Sequence, residues 1–210
     1  AADKADMKVI YGLEAYFVND TASAVYGSYG GGFEDEFIVF DLETTGLNPK
    51  TDLIIEFAAV KVRGGKVVDT FQSLCDPGFP IPQQIEMITG ITTEMVRSAP
   101  NPRSVLPDFL DFVGDDFIVG HNVLFDVRFI SASAGCFCNP YIDTMKLFRK
   151  LHPTLPHHRL CDMVDYYGKN NESAHRALSD CLATNDCLCA MADEVTKAFG
   201  STEAFIKALK

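Results

Sequence analysis

Two acidic residues, Asp41 and Glu43, stand at the end of an apolar segment that begins at Phe37. Side chains alternate between the two faces of a strand, so both carboxylates would share one face. The segment is apolar on both faces, which is typical of a central, buried strand. Two uncompensated carboxylates in such a place would cost roughly several kcal/mol. The pattern therefore predicts a cation beside them, unless the acids only begin a solvated loop.

Two further acids and a histidine occupy positions where they could join this pair. Asp126 follows a short apolar segment and begins a predicted helix, although an acid near a helix N-terminus is also common without a function. Asp180 lies between Leu178 and Leu182 on a helix that is otherwise apolar on that side, and this pattern disfavours a solvent-exposed position for its carboxylate. His175 precedes Asp180 by five residues and is either part of the same site or a surface or capping histidine.

The elements that must position these residues indicate an α/β domain. Apolar segments at 37–42, 52–62 and 66–74, with Gly64-Gly65 as a tight turn, predict an antiparallel meander of three strands. Strands and helices alternate afterwards, which predicts a mixed five-stranded sheet flanked by helices. The predicted strands lie at 117–119 and 141–142, and the predicted helices at 83–87, 92–96, 104–113 (with Pro107 in its first turn), 123–134, 144–151, 159–167 and 174–199.

Composition sets the limits of the domain organisation. The chain has 210 residues and 47% hydrophobic residues, which suits one medium-sized domain with a proper core. A Ser/Ala/Gly-rich stretch near residues 20–35 predicts a connector, so we divide the chain into an N-terminal strand segment and connector at 1–35 and a main domain at 36–210. No apolar run is long enough to cross a bilayer and no signal peptide is evident, so we expect a cytoplasmic protein with no membrane contact.

Charge and cysteine content restrict the chemistry. The formal net charge of −11 argues against a nucleic-acid partner, unless bound divalent metals reverse the local sign and supply the charge that contacts phosphate. The seven cysteines form an odd set without Cys-x-x-Cys pairs. We therefore expect reduced thiols and not a disulfide framework or a metal cluster.

Three motifs in order carry a resemblance to a known family. They are Phe-Asp-Leu-Glu-Thr-Thr-Gly at 40–46, His-Asn-Val-Leu-Phe-Asp at 121–126 and His-Arg-Ala-Leu-Ser-Asp at 175–180. The sequence resembles the DnaQ-like 3′-to-5′ exonuclease superfamily, in the subclass with four acids and one histidine. The resemblance implies a ribonuclease-H-like fold. Ser179 departs from many relatives, which carry a second acid there, and this departure leaves the predicted metal ligands unchanged.

The resemblance also implies a catalytic mechanism with two divalent metal ions, Mg²⁺ or Mn²⁺. Asp41 would bridge the two metals, Glu43 and Asp180 would bind the one that carries the water, and Asp126 would bind the other. Hard carboxylate oxygens suit either ion. His175 would be the general base that accepts the proton of the attacking water, a task suited to an imidazole.

Further positions match the family as substrate contacts. Thr44, Thr45 and Gly46 resemble its contacts to the terminal nucleotide, and Leu47 resembles an apolar wedge beside the last base, although turn chemistry and packing explain the same residues. His121 and Asn122 would line the substrate groove, or would simply form a polar loop.

Two further acids, Glu56 and Asp143, also match positions at which the family carries an acid. Glu56 is flanked by apolar residues, so we expect it to have a buried partner. Asp143 is either a helix cap or a functional residue.

The segment Lys8 to Val18 narrows the resemblance to the exonuclease of PolC-type bacterial DNA polymerase III. The expected substrate is therefore a single-stranded DNA 3′ end, cleaved to nucleoside monophosphates in replicative proofreading, with a DNA polymerase or replisome subunit as a possible partner. Two alternatives stay open at this point. One is a 3′-to-5′ exoribonuclease on short RNA, and the other is a non-catalytic module associated with a polymerase.

Overall fold

The computed structural model describes residues 23–28, 31–33 and 35–208. The strand segment predicted at 8–18 lies outside these residues. A six-stranded mixed sheet forms the centre, in the order β1-β6-β5-β2-β3-β4. Its strands are β1 (Val25–Tyr26), β2 (Phe37–Thr44), β3 (Ile54–Arg63), β4 (Lys66–Leu74), β5 (Ile118–Gly120) and β6 (Tyr141–Asp143).

Helices cover both faces of this sheet. They are α1 (Gln83–Thr89), α2 (Thr93–Val96), α3 (Pro102–Val113), α4 (Leu124–Ala134), α5 (Thr144–Leu151), α6 (Leu160–Tyr166), α7 (Ala177–Phe199) and α8 (Thr202–Ala208). The predicted meander is confirmed, because β2 and β4 both pair with β3 in antiparallel orientation. Gly64 and Gly65 make the connecting turn with positive φ angles of 57° and 74°, which glycine adopts without strain.

The two faces of β2 contact different halves of the hydrophobic core. Phe37 and Val39 belong to the cluster that packs beneath α7, whereas Ile38 and Phe40 belong to the cluster beneath α3 and α4. This arrangement confirms a buried central strand. Asp41 follows Val39 by two residues, so its side chain lies on the α7 face at the end of the strand.

The sheet has one strand more than predicted. Val25–Tyr26 pairs in antiparallel orientation with β6, although the sequence there predicted a connector. The reason is tertiary, because the Tyr26 ring stacks on Tyr141 with centroids 4.6 Å apart and Lys146 Nζ donates to the Tyr26 hydroxyl at 2.6 Å. The domain boundary predicted after residue 35 stays a prediction.

Two predicted helix starts differ from the observed ones. Helix α3 begins at Pro102, where Asn101 Oδ1 accepts from the Arg103 N–H at 3.0 Å, so Pro107 lies inside the helix and not in its first turn. Helix α7 begins at Ala177 and not at residue 174. His175 has a φ of 64° and Arg176 is extended, so neither residue can continue the helix.

The expectation of reduced thiols is wrong for one pair. Cys136 and Cys138 form a disulfide, and their Cα atoms are 6.2 Å apart, within the usual range for such a bond. The chain between α4 and β6 is extended, which brings two cysteines separated by one residue into reach. The other described cysteines are free thiols: Cys75, Cys161, Cys181, Cys187 and Cys189.

Among the described residues, no helix combines the length and the apolar character that crossing a membrane requires.

The core beneath α3 yields a stability prediction. Phe109 is fully buried, and its ring contacts Phe40, Phe57 and Phe71 at centroid distances of 5.6, 5.1 and 5.7 Å. Phe109→Ala should lower the free energy of unfolding by about 3–5 kcal/mol in urea denaturation, because it leaves a cavity among these rings. The matched control is Phe79→Ala, since Phe79 is 42% exposed. A control variant that loses as much stability as Phe109→Ala would contradict this account of the core.

Candidate active site

Helix α4 brings the third acid to β2, the strand that carries Asp41 and Glu43. Strand β5 pairs with β2 at Ile38 and Val39 and ends at Gly120, so the edge of β2 beyond it lacks a strand neighbour on that side. Asp126, in the first turn of α4, fills this position: its Oδ1 accepts from the Leu42 N–H at 3.2 Å. Leu42 lies between Asp41 and Glu43, so the bond fixes Asp126 against both of the first two acids.

The start of α7 brings the fourth acid and the histidine. Asp180 is buried in the first turn, where it accepts from Asn171 Nδ2 at 2.6 Å and from the His175 N–H at 3.2 Å. His175 is exposed, so water can reach its imidazole. One ligand atom from each of Glu43, His175 and Asp180 lies within 4.8 Å of the others. Segments far apart in sequence therefore form one cluster.

The electrostatics of this cluster fit divalent cations. Burial, and then the charges of Asp126 and Glu43, raise the pKa of Asp41 well above its ordinary value. Burial and the charge of Asp180 raise the pKa of Glu43 to about 8, although the Arg176 guanidinium acts in the opposite direction. Burial also raises the pKa values of Asp126 and Asp180. Since the protein's own cations do not offset this repulsion, carboxylate oxygens remain that Mg²⁺ or Mn²⁺ could bind.

The turn after β2 is organised by an acid that the sequence reasoning missed. Asp52 accepts from the Asn48 N–H at 2.8 Å and from the Thr45 hydroxyl at 3.5 Å. A Cβ at Gly46 would come within 2.6 Å of the Asp52 carboxylate, so a side chain there would displace Asp52 from its contacts in the turn. Thr44 donates from its hydroxyl to the Gly46 carbonyl at 2.7 Å. These contacts leave Leu47 at the tip of the turn with 83% of its surface exposed.

In the loop before α4, His121 and Asn122 form hydrogen bonds with other residues of the same chain. The two ring nitrogens of His121 lie 3.1 Å from Thr144 Oγ1 and 3.0 Å from the His158 carbonyl oxygen, and burial lowers its pKa to about 4. Asn122 is exposed and has a φ of 59°, and its N–H donates to Asp143 Oδ1 at 3.1 Å. Asp143 also caps α5, as the sequence allowed. A substrate contact for His121 and Asn122 stays a prediction.

A cavity of about 470 Å³ opens beside His175 and Asp180. Leu160 and Val164 of α6 give it an apolar wall, and its charged lining residues carry both signs: Arg159, Lys169, Asp165 and Asp180. An apolar wall of this kind suits a nucleotide base.

Three residues outside the predicted site complete its surroundings. Arg176 and Asn171 are new. Glu56 has a partner, but a half-buried one and not the buried one expected: Arg176, 32% exposed, donates to both of its oxygens, at 2.9 and 3.2 Å. One sequence feature could have pointed to the Glu56–Arg176 pair: Arg176 directly follows His175. The sequence contained no signal for Asn171.

Comparison with known proteins identifies the relatives of this chain. The model of the Exonuclease family (RNase_T) matches residues 38–188. A DNA polymerase III PolC-type from Clostridium perfringens is 41% identical over 192 residues, which is 90% of this chain. The matched region is only 13% of that polymerase, so this chain spans a small part of the curated relative.

Solved structures agree on the architecture. Exonuclease X, solved in complex with 5′ overhanging duplex DNA, is 29% identical with a TM-score of 0.65, and the match covers 83% of this chain and 99% of that chain. E. coli exonuclease I, solved in complex with a dT13 oligonucleotide, is 22% identical with a TM-score of 0.67, and the match covers 78% of this chain and 42% of that chain. The exonuclease I likeness shows the fold alone.

The raised carboxyl pKa values predict how the stability of the metal-free chain depends on pH. The folded chain keeps a proton on Glu43 up to about pH 8, whereas the unfolded chain releases it near 4.5. Between these values the unfolded state binds fewer protons, so the free energy of unfolding should fall as pH rises. We expect the melting temperature in chelator to fall between pH 5 and 8.5, and Mn²⁺ to restore it at the higher pH.

The control for this prediction is Asp41→Asn, which removes one repelling charge and should make the pH-dependent fall smaller. A melting temperature in chelator that rises over this pH range, or that does not respond to Mn²⁺ at pH 8.5, would contradict the assignment of the carboxylate cluster as a metal site.

Proposed function

Because the chain belongs to the exonuclease family whose model spans residues 38–188, we propose that it removes nucleoside monophosphates from the 3′ end of single-stranded DNA. The observation that carries this proposal is the cluster of carboxylates with one exposed histidine, contributed by β2, α4 and the start of α7. The cluster pairs metal-binding oxygens with a base that solvent can reach. This combination suits phosphodiester hydrolysis.

Four carboxylates would hold the metals: Asp41, Glu43, Asp126 and Asp180. Two bound Mg²⁺ or Mn²⁺ ions would supply activation of water and stabilisation of charge on the scissile phosphate and the leaving 3′ oxygen. His175 accepts the proton of the attacking water at an imidazole nitrogen. Water bonds to phosphorus, the bond from phosphorus to the 3′ oxygen breaks, and the terminal nucleotide leaves as a 5′-monophosphate.

The exposed turn contacts the terminal nucleotide in this proposal. Leu47 is held out at the tip of a turn that Asp52 makes rigid, which suits stacking against the last base. Thr44, Thr45 and Gly46 form the base of the same turn, next to the acids, and His121 and Asn122 border the site on the α4 side. The cavity beside His175 offers a further place for the strand, where Lys169 can meet a phosphate.

Binding to a polyanion is consistent with the net charge of −11. The metals bring positive charge to the scissile phosphate, so the protein itself need not be basic. The relation to PolC-type polymerases supports proofreading as the biological role, with a DNA polymerase or replisome subunit as partner.

Asp41→Asn tests the proposed metal-dependent reaction. We expect no detectable release of nucleotide from 3′-labelled single-stranded DNA in this variant, because one of the four carboxylates that would hold the metals is lost. The parent chain should release the 3′ label first, should leave a 5′-labelled strand shortened stepwise, and should stop in excess chelator. Activity of the parent in chelator, or full activity of Asp41→Asn, would refute the mechanism.

His175→Ala tests the general base. The variant should lose about 10²–10⁴-fold in kcat with little change in KM, because the residue acts on the water and not on DNA binding. The matched control is His157→Ala, an exposed histidine on the loop before α6. Equal activities of the two variants would remove His175 from the mechanism.

Matched substrates separate the proposal from its alternatives. DNA and RNA strands of one sequence, compared by kcat/KM, should favour DNA, whereas a preference for RNA would indicate an exoribonuclease. A non-catalytic module would turn over neither strand and would not bind two metals.

A further inference from the structure

Glu56 is the buried acid that the proposed reaction leaves without a role. Its side chain is fully buried on β3, and both of its carboxylate oxygens accept hydrogen bonds. Arg176 Nη2 and Gln72 Nε2 donate to Oε1 at 2.9 and 2.8 Å, and Arg176 Nε and the Ala177 N–H donate to Oε2 at 3.2 and 3.1 Å. A carboxylate with this many donors is well compensated. Three of its four bonds come from the two residues that begin α7.

The position of Glu56 in the sheet explains why its partner matters to the site. Glu56 lies directly opposite Glu43 in the register of β2 and β3. Like charges in opposed positions of a sheet repel, so the pair needs a cation. Arg176 provides it, because its guanidinium pairs with Glu56 at 2.9 Å. The Glu56–Arg176 pair therefore lies directly opposite a predicted metal ligand in the sheet.

Glu56 also replaces the cap that α7 lacks. The N-cap residue of α7 is Arg176, whose side chain forms no cap hydrogen bond. The Glu56 carboxylate accepts from the Ala177 N–H instead, and so binds one of the free backbone donors of the first turn. The acid thus fixes where the helix begins and which way its first turn faces.

Arg176 and Ala177, which Glu56 holds in this way, lie in sequence between the two predicted site residues His175 and Asp180. His175 directly precedes Arg176 and has a φ of 64°, a conformation that costs energy for a residue other than glycine. The Asp180 N–H donates to the Arg176 carbonyl at 3.0 Å, and the Asp180 carboxylate accepts from the His175 N–H. A shift of Arg176 would therefore displace both His175 and Asp180.

We propose that Glu56 and Arg176 form a positioning pair that holds His175 and Asp180 in register with Glu43, so that the metal ligands of β2 and α7 meet. The expected effect on the reaction rests on the proposed function. The expected effect on the placement of His175 and Asp180 does not. The pair touches neither metal nor substrate in this proposal. It acts through the backbone of α7.

Arg176→Lys is the main test, because lysine keeps the charge but cannot bind both carboxylate oxygens with a planar fork. We expect the affinity for Mn²⁺, measured by calorimetry without DNA, to fall about 10–100-fold. The kcat at low Mn²⁺ should fall by a similar factor and should recover at high Mn²⁺, while KM for DNA stays nearly constant. Glu56→Gln, which keeps the shape but removes the charge, should have the same effect.

The control is Gln72→Ala, which removes one donor to Glu56 from β4 and leaves all three hydrogen bonds from Arg176 and Ala177 in place. This variant should bind Mn²⁺ like the parent. If Glu56→Gln does not fold, Arg176→Lys alone decides the question. An Mn²⁺ affinity of Arg176→Lys within about twofold of the parent value, a change far smaller than lost positioning produces, would overturn the inference, as would an equal loss in Gln72→Ala.

The affinity measurement separates this inference from the proposed function. A parent chain that binds Mn²⁺ but cleaves no DNA would refute the proposed function, and a weaker affinity in Arg176→Lys would then still support the positioning pair. A parent chain that cleaves DNA, with Arg176→Lys unchanged in both Mn²⁺ affinity and kcat, would refute the positioning pair alone.

Discussion

Mutual repulsion among buried carboxylates is the constraint on which this structure depends. Asp41 and Glu43 share one face of a central strand, and α4 and α7 each add an aspartate to the same corner. Removing these groups from water penalises their charged forms, and bringing them together penalises those forms again. Without metal the arrangement is a cost to stability. The fold tolerates the cost because large apolar surfaces pack on both faces of β2.

The protein offsets only part of this repulsion, and it does so on β3, the strand that pairs with β2. Arg176 pairs with Glu56 and offsets part of the rise in the Glu43 pKa, while the pKa values of Asp41 and Asp126 stay raised. A fully compensated corner would be more stable but would have no affinity for a cation. The same arginine is the N-cap residue of α7 and directly follows His175, so charge compensation and the start of the helix involve one residue. This coupling explains why a buried ion pair, which often adds little stability, is useful here.

Backbone strain lies at the same corner. Among the described residues, Asn122 and His175 are the non-glycine residues with positive φ; His175 lies in the cluster with Glu43 and Asp180, and Asn122 precedes Asp126 by four residues. Each is held by a hydrogen bond from its own N–H to an aspartate: Asn122 to Asp143, and His175 to Asp180. Asp180 therefore serves twice, as a predicted metal ligand and as the acceptor that holds His175 in a strained conformation, whereas Asp143 holds Asn122 and caps α5.

Several features could be predicted from the sequence because they depend on local patterns. Apolar alternation and the Gly64-Gly65 turn determine the meander, and strict spacing places Asp41 and Glu43 on one face. The order of the three motifs indicates the family and the identity of the clustered residues. The helix boundaries near Pro107 and residue 174 were wrong by a few residues, because caps and backbone strain decide them and periodicity does not show either.

What only the tertiary structure decided is how distant segments compensate one another. The strand at Val25–Tyr26 forms because Tyr141 and Lys146 lie beside it, and neither is near it in sequence. Glu56 and Arg176 are 120 residues apart, and nothing in the local pattern of either names the other. Residue types and spacing determine which groups can do chemistry, because side-chain direction follows from the backbone. Which charges meet, and which stay unpaired for a metal, is decided only when the helices pack on the sheet.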